Sequence, residues 1–149
     1  MERLNLTLMG GFRARLSSGV TVMLPTRKAQ ALLAYLALHT DQPQSREKLA
    51  WLLWSDTAEE HARHSLRQTI LSLKKALAPI QAPTLVLEGD DVALSLSGID
   101  VDAVSFGKLV GERKPESLAA AAELYTGSLL EGFTLREEPF EEWIVGERN

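Results

Sequence analysis

HARHSLRQTILSLKKAL, residues 61–77, has the clearest helical pattern in the chain and guides the interpretation of its neighbours. At about 100° per residue, one arc of the helix collects the apolar side chains. These are Ala62, Leu66, Ile70, Leu73 and Leu77. The pattern predicts an amphipathic helix that buries this arc and ends near Ala78, because Pro79 cannot continue it.

The opposite arc is basic and polar, and the segment contains no Asp or Glu. This arc, which we call the recognition face, consists of His64, Arg67, Gln68, Leu71 and Lys75. The major groove of DNA admits one helix, where Arg pairs bidentately with guanine and Gln with adenine. The recognition face is therefore predicted to read DNA bases. The alternative is an ordinary solvated helix surface with basic residues.

Side chains around the recognition face are predicted to contact phosphates, which position a protein but carry no sequence information. They are Arg63, Ser65, Ser72 and Lys74 on this helix and Arg46 before it. Lys75 is also suited to a phosphate contact. Leu71 is apolar and lies in the middle of a polar arc. It packs against a thymine methyl group, contacts another protein surface or is simply exposed, and the sequence leaves these alternatives open.

The net charge of −4 hides an uneven distribution. Residues 1–98 contain 11 basic and 9 acidic side chains, whereas residues 99–149 contain 5 and 11. The first part is thus suited to binding a polyanion, whereas the acidic second part is not. The chain has no Cys, no apolar run of membrane-spanning length and no signal-peptide pattern, so a cytoplasmic location is expected.

The segments before and after residues 61–77 predict an α+β fold. Residues 3–24 alternate as strands of a short antiparallel sheet. Thr26 and Ser45 are predicted N-caps of two helices, from about Arg27 and after Ser45, and Thr57 with Glu60 has capping-box spacing for the third. Two alternating runs around residues 89–91 predict a hairpin. Three helices followed by a hairpin predict a winged helix, whose third helix reads DNA and whose wing lies on the backbone.

The C-terminal third is expected to be mostly helical. Residues 100–109 start extended and turn helical, residues 116–130 are Ala-rich and helical, and residues 137–147 form an acidic helical segment around Trp143. The chain stops at Arg148-Asn149 without a helix stop signal, so we expect this domain to be truncated. The predicted domains are residues 1–98 and residues 99–149.

Enzyme chemistry is weakly represented, since neither a phosphate loop nor a nucleophile elbow is recognisable. His61 and His64 lack a third placed metal ligand, and exposed polar positions explain them better. The acidic group Glu137, Glu138, Glu141 and Glu142 is typical of a solvated helix face. We therefore expect no enzyme activity and no metal.

Several motifs together resemble the SARP family of bacterial transcriptional activators. They are Arg27-Lys28, Ser45-Arg46-Glu47-Lys48-Leu49, Leu53-Trp54-Ser55-Asp56 and Leu66-Arg67-Gln68. The resemblance continues through Asp100-Val101-Asp102 and Phe106, and through residues 124–130 and 143–148, which look like the opening helices of the family's activation domain. At Ser72, Lys74 and Lys75 the family commonly has Arg, and at Leu71 a small or polar residue.

The resemblance implies an OmpR/PhoB-type winged helix followed by the start of a tetratricopeptide-like bacterial transcriptional activation domain. It implies binding to promoter DNA at direct repeats, recruitment of RNA polymerase, nucleoid association when bound and no cofactor. The polymerase-facing loop would contain Ser55, Asp56, Thr57 and Glu59. A homodimer on DNA stays open. The alternative function is a winged-helix docking module of a larger signalling protein.

Overall fold

The computed structural model describes residues 2–148 and shows, within them, six α-helices and two three-stranded sheets. The strands are β1 Leu4–Thr7, β2 Arg13–Leu16, β3 Gln44–Ser45, β4 Leu85–Glu88, β5 Asp91–Leu94 and β6 Ile99–Val101. The helices are α1 Arg27–Leu38, α2 Arg46–Leu53, α3 Glu59–Ala76, α4 Asp102–Glu112, α5 Pro115–Leu124 and α6 Glu138–Arg148. The predicted α+β class is confirmed.

The N-terminal sheet has the strand order β2-β1-β6. Strands β1 and β2 pair antiparallel as predicted, and the alternating Leu4, Leu6 and Leu8 are buried. Residues 20–24, at the end of the segment predicted to form strands, contribute only a single bridge, between Thr21 and Arg15. The third strand is instead β6, which pairs with β1 in parallel. A local pattern does not show which distant segment supplies such a strand.

The side chain of Arg3 fastens β6 beside β1. Its Nε donates to Oδ2 of Asp100 at 2.9 Å, and its Nη1 donates to the carbonyl oxygen of Ser97 at 2.7 Å. The hydrogen bond from Arg3 lowers the pKa of the Asp100 carboxyl below its usual range. The carboxylate is thus the form that the fold stabilises.

Two of the three predicted helix caps form. Oγ1 of Thr26 accepts a hydrogen bond from Ala29 N–H at 3.0 Å, and Oγ of Ser45 accepts one from Lys48 N–H at 3.1 Å. The capping box of Thr57 and Glu60 was wrong, because α3 starts after Ala58 and has no side-chain cap. Thr57 instead donates its N–H to the carbonyl oxygen of Trp54, in the turn that follows α2. The acids Glu59 and Glu60 suit the positive end of the α3 dipole.

Thr26→Ala is expected to lower the free energy of unfolding by about 1 kcal/mol, because the orphan N–H at the start of α1 loses its acceptor. Thr57→Ala is the matched control, since both threonines are exposed and only Thr26 caps a helix. We expect the control to change stability by less than about 0.5 kcal/mol. Urea denaturation followed by circular dichroism measures both variants. Equal losses would contradict the observed start of α3.

Helix α3 packs on α1 and α2 through the apolar arc predicted for it. Ala62, Leu66, Ile70, Leu73 and Leu77 are all buried. The predicted hairpin follows as β4 and β5, joined by the two-residue turn Gly89-Asp90, and Gly89 has a φ of 59°. Strand β3, which the sequence did not reveal, pairs with β5 and ties this hairpin to the start of α2.

The C-terminal third is helical where predicted except in its middle. Helix α5 ends at Leu124, so the helix expected over residues 116–130 was too long. Residues after it pair with the N-terminal segment: Gly10 N–H donates to Ser128 O at 2.8 Å and Leu130 N–H to Leu8 O at 2.6 Å. A Cβ on Gly127 would lie 2.8 Å from Cα of Gly10. Such close backbone pairing excludes a continued helix there.

Helix α6 joins the same hydrophobic core as the winged region. Phe140 and Ile144 are buried in one cluster with the apolar residues of α1, α2 and α3. Before α6, the Glu137 carboxylate is also buried and accepts a hydrogen bond from Ser55 N–H at 3.1 Å. The acidic segment thus packs on the helices that carry the predicted DNA surface.

Candidate nucleic-acid interface

Helix α3 presents the whole recognition face to solvent. His64, Arg67, Gln68, Leu71 and Lys75 are all exposed. The contrast between two leucines shows how sharp the division is, because Leu71 is 52% exposed and Leu73 is 0% exposed. A helix that buries one side and offers cationic and amide side chains on the other can enter a major groove.

The residues predicted to contact phosphates differ in solvent exposure. Arg63 and Lys74 are exposed, whereas Ser65, Ser72 and Arg46 are half-buried. Nη2 of Arg63 donates to Oε1 of Glu59 at 3.0 Å, so a phosphate would compete with that carboxylate. Oγ of Ser72 donates to the carbonyl oxygen of Gln68 at 3.1 Å. The hydroxyl can still accept a hydrogen bond, but its proton is already engaged.

Three arginines line one cleft that the sequence did not reveal: Arg46 and Arg63 from the predicted phosphate contacts, and Arg67 from the recognition face. The cleft lies between α2, α3 and the hairpin turn and has a volume of about 160 Å³. We call it the arginine cleft, and its lining residues are Arg46, Glu47, Arg63, Leu66, Arg67 and Asp90. Arg63 and Arg67 are four residues apart and therefore share one side of α3. Arg46 is brought to them by the packing of α2.

The residues predicted to face polymerase are all exposed, but Ser55, Asp56 and Thr57 lie in the loop after α2, whereas Glu59 is the first residue of α3. The first residue of this loop is held by the hydrogen bond from Ser55 N–H to Glu137. Beside the loop, a groove of about 280 Å³ runs between α2 and α3 and includes Trp51, Trp54 and Ala62. The loop thus borders a partly apolar groove on the protein surface.

Trp51 is a surface residue that the sequence analysis missed. It is 58% exposed, although it stands beside the buried Leu52. The helical pattern of α2 contained the necessary information, because Leu49, Leu52 and Leu53 define the buried side and Trp51 falls outside it. An exposed Trp is typical of interaction surfaces.

Carboxylates of the acidic segment have structural roles. Glu137 binds the Ser55 N–H, and Oε1 of Glu141 accepts a hydrogen bond from Leu135 N–H at 2.7 Å. His61 and His64 are both exposed on α3. Within residues 2–148, no three His, Asp or Glu side chains are grouped as metal ligands usually are.

A cavity of about 650 Å³ lies away from the recognition face, between the start of the chain and α5. None of the predicted site residues lines it. Its Asp102 carboxylate accepts hydrogen bonds from the N–H groups of Leu8 and Met9, at 2.8 and 3.0 Å. That carboxylate therefore supports the N-terminal strand.

Comparison with solved structures decides the fold. A structure of Mycobacterium tuberculosis EmbR in complex with a low-affinity phosphopeptide superposes with a TM-score of 0.75 and 22% sequence identity. The chain therefore has an α+β winged-helix fold like that of the EmbR structure. The superposition covers 99% of this chain and 42% of the EmbR chain, so this chain spans less than half of that protein.

The other comparisons identify no relative. No protein-family model matches the chain, and no curated protein matches its sequence. Within residues 2–148, no helix is both long and apolar enough to cross a membrane.

Proposed function

We propose that this chain is a sequence-specific DNA-binding transcriptional regulator of the SARP type, which places α3 in the major groove of promoter DNA. The observation that carries the proposal is the exposed recognition face on the third helix of a winged-helix fold. Arg67 and Gln68 would read bases, together with His64 and Leu71, whereas Lys75 on the same face would contact a phosphate. Arg46, Arg63 and Lys74, with the hydroxyl groups of Ser65 and Ser72, would contact phosphates.

The proposal includes activation by recruitment of RNA polymerase at promoter direct repeats. It is supported by the exposed loop residues Ser55, Asp56 and Thr57, by Glu59 at the start of α3 and by the groove beside them. Trp51 offers an apolar anchor in that groove. We assign DNA binding to residues 1–98 and treat residues 99–149 as the N-terminal part of an activation domain. A homodimer on adjacent repeats, a bacterial cytoplasmic location and the absence of enzyme activity and cofactor belong to the same proposal.

Binding to duplex DNA is expected to weaken steeply with salt, because phosphate contacts release condensed counterions. With about four phosphate contacts, log Kd should rise with log salt with a slope near 3.6. Fluorescence anisotropy with a labelled random-sequence duplex, between about 50 and 200 mM salt, measures the slope. Selection from a random duplex library then yields the preferred sequence. Absence of any shift at the lowest salt would contradict DNA binding.

The second candidate is a winged helix that docks on another protein. Two exposed apolar side chains favour it, Leu71 at 52% exposure on α3 and Trp51 at 58% on α2. The same titration distinguishes the two, because a docking module without a DNA role leaves the duplex unbound at low salt. Leu71→Ser would then abolish capture of the partner without lowering stability.

A further inference from the structure

The hairpin of this protein carries the wrong charge for contact with a phosphate backbone. Glu88, Asp90 and Asp91 are all exposed on it. No Lys or Arg occurs anywhere from residue 76 to residue 107, so the hairpin has no basic side chain to offset them. A hairpin with three exposed carboxylates and no cation repels a DNA phosphate that lies next to it.

Backbone contacts hold the hairpin turn at the edge of the proposed DNA surface. Arg46 N–H donates to the carbonyl oxygen of Asp90 at 3.1 Å, and Ser45 pairs with Asp91 in the β3–β5 ladder. The turn therefore stays beside the start of α2. Asp90 lines the arginine cleft together with Arg46, Arg63 and Arg67.

Asp90 has no ion-pair partner among the described residues. The salt bridges within residues 2–148 join Arg3 to Asp100 and Arg63 to Glu59. The Asp90 side chain forms neither a salt bridge nor a hydrogen bond to another described residue, and Asp90 is exposed at the cleft that the three arginines line. Its charge is thus available to act on whatever enters the cleft.

We propose that Asp90 is a fixed counter-charge in the arginine cleft that weakens DNA binding, and that the wing of this protein makes no phosphate contact. This inference rests on the proposed DNA-binding function and restricts it to α3 and the start of α2. Sequence-independent binding is almost wholly phosphate electrostatics, so it is the binding mode that Asp90 lowers most directly.

The test is a charge series at one position. Asp90→Asn removes the charge with little change in shape, and Asp90→Lys reverses it. Glu116→Gln is the matched control, because Glu116 is exposed in the first turn of α5, away from the cleft. Kd for a labelled random-sequence duplex is measured for the 149-residue chain and each variant across a salt series, and thermal unfolding checks that each variant folds.

Asp90→Asn should tighten binding about three- to tenfold at about 50 mM salt, and Asp90→Lys should tighten it further. The gains should shrink as salt rises, because the Debye length falls to about 10 Å at 0.1 M. Glu116→Gln should stay within about twofold of the unaltered chain, since its charge lies outside the cleft.

The outcomes separate this inference from the function on which it rests. If the unaltered chain binds DNA and Asp90→Asn behaves like Glu116→Gln, the counter-charge is refuted and DNA binding stands. Weaker binding by Asp90→Lys would likewise overturn it. If neither the chain nor any variant binds duplex at the lowest salt, both proposals fail. Binding that appears only in the Asp90 variants would support the counter-charge.

Discussion

Arg67→Ala is expected to lower the affinity of the chain for its selected duplex by roughly five- to 150-fold, because one bidentate base contact is worth about 1–3 kcal/mol. The guanidinium is exposed on the recognition face and also lines the arginine cleft. The variant should lose more affinity for the selected duplex than for a random one. Anisotropy titrations with the two duplexes at one salt concentration measure the difference.

Two lysine variants control for the loss of positive charge. Lys75→Ala should weaken both duplexes alike and lower the salt slope by about 1, as expected for a phosphate contact. Lys108→Ala removes the same charge from α4, which packs on α5 and the N-terminal sheet, and should leave both affinities within about twofold. The assignment of α3 would be wrong if Arg67→Ala and Lys75→Ala both bound the selected duplex as tightly as the unaltered chain.

Leu73→Ala is expected to lower the free energy of unfolding by about 3 kcal/mol, within the usual range of about 2–5 kcal/mol for a buried Leu. Leu73 is 0% exposed in the core that α3 shares with α1 and α2. The loss combines apolar transfer with the cavity that remains after truncation. Urea denaturation measures this free energy of unfolding. An unchanged slope of the free energy against urea concentration would show that the folded and unfolded states keep their compactness.

Leu71→Ala is the matched control, two residues away on the same helix. Because Leu71 is 52% exposed, its truncation should change stability by less than about 0.5 kcal/mol. The same variant tests the thymine contact, since loss of affinity for the selected duplex without loss of stability would assign Leu71 to DNA. A large destabilisation would instead contradict the exposed position of Leu71 on α3.

The elements predicted correctly depend on neighbours in sequence. The caps at Thr26 and Ser45 form because each hydroxyl needs only the N–H three residues ahead. The hairpin forms around Gly89, which tolerates the positive φ of the turn. Thr57 shows the limit of such motifs, because its capping-box spacing is present and the residue nevertheless belongs to the turn after α2.

The candidate interface was likewise predictable from the sequence only in part. The recognition face follows from periodicity, and its five residues are exposed as a group because one helix sets their directions. The arginine cleft could not be predicted, because Arg46 joins Arg63 and Arg67 only through the packing of α2 on α3. Asp90 completes the cleft from a hairpin that follows α3 in the chain.

The sequence by itself determined the buried arc of α3, the basic arc opposite it and the order of three helices before a hairpin. These features rest on local periodicity and capping, which neighbouring residues establish. Only the tertiary structure decided that β6 pairs with β1, that α5 ends at Leu124 and that Glu137 holds Ser55. Each of these depends on backbone groups or side chains from distant segments finding partners, and local propensity does not specify which distant segment supplies the partner.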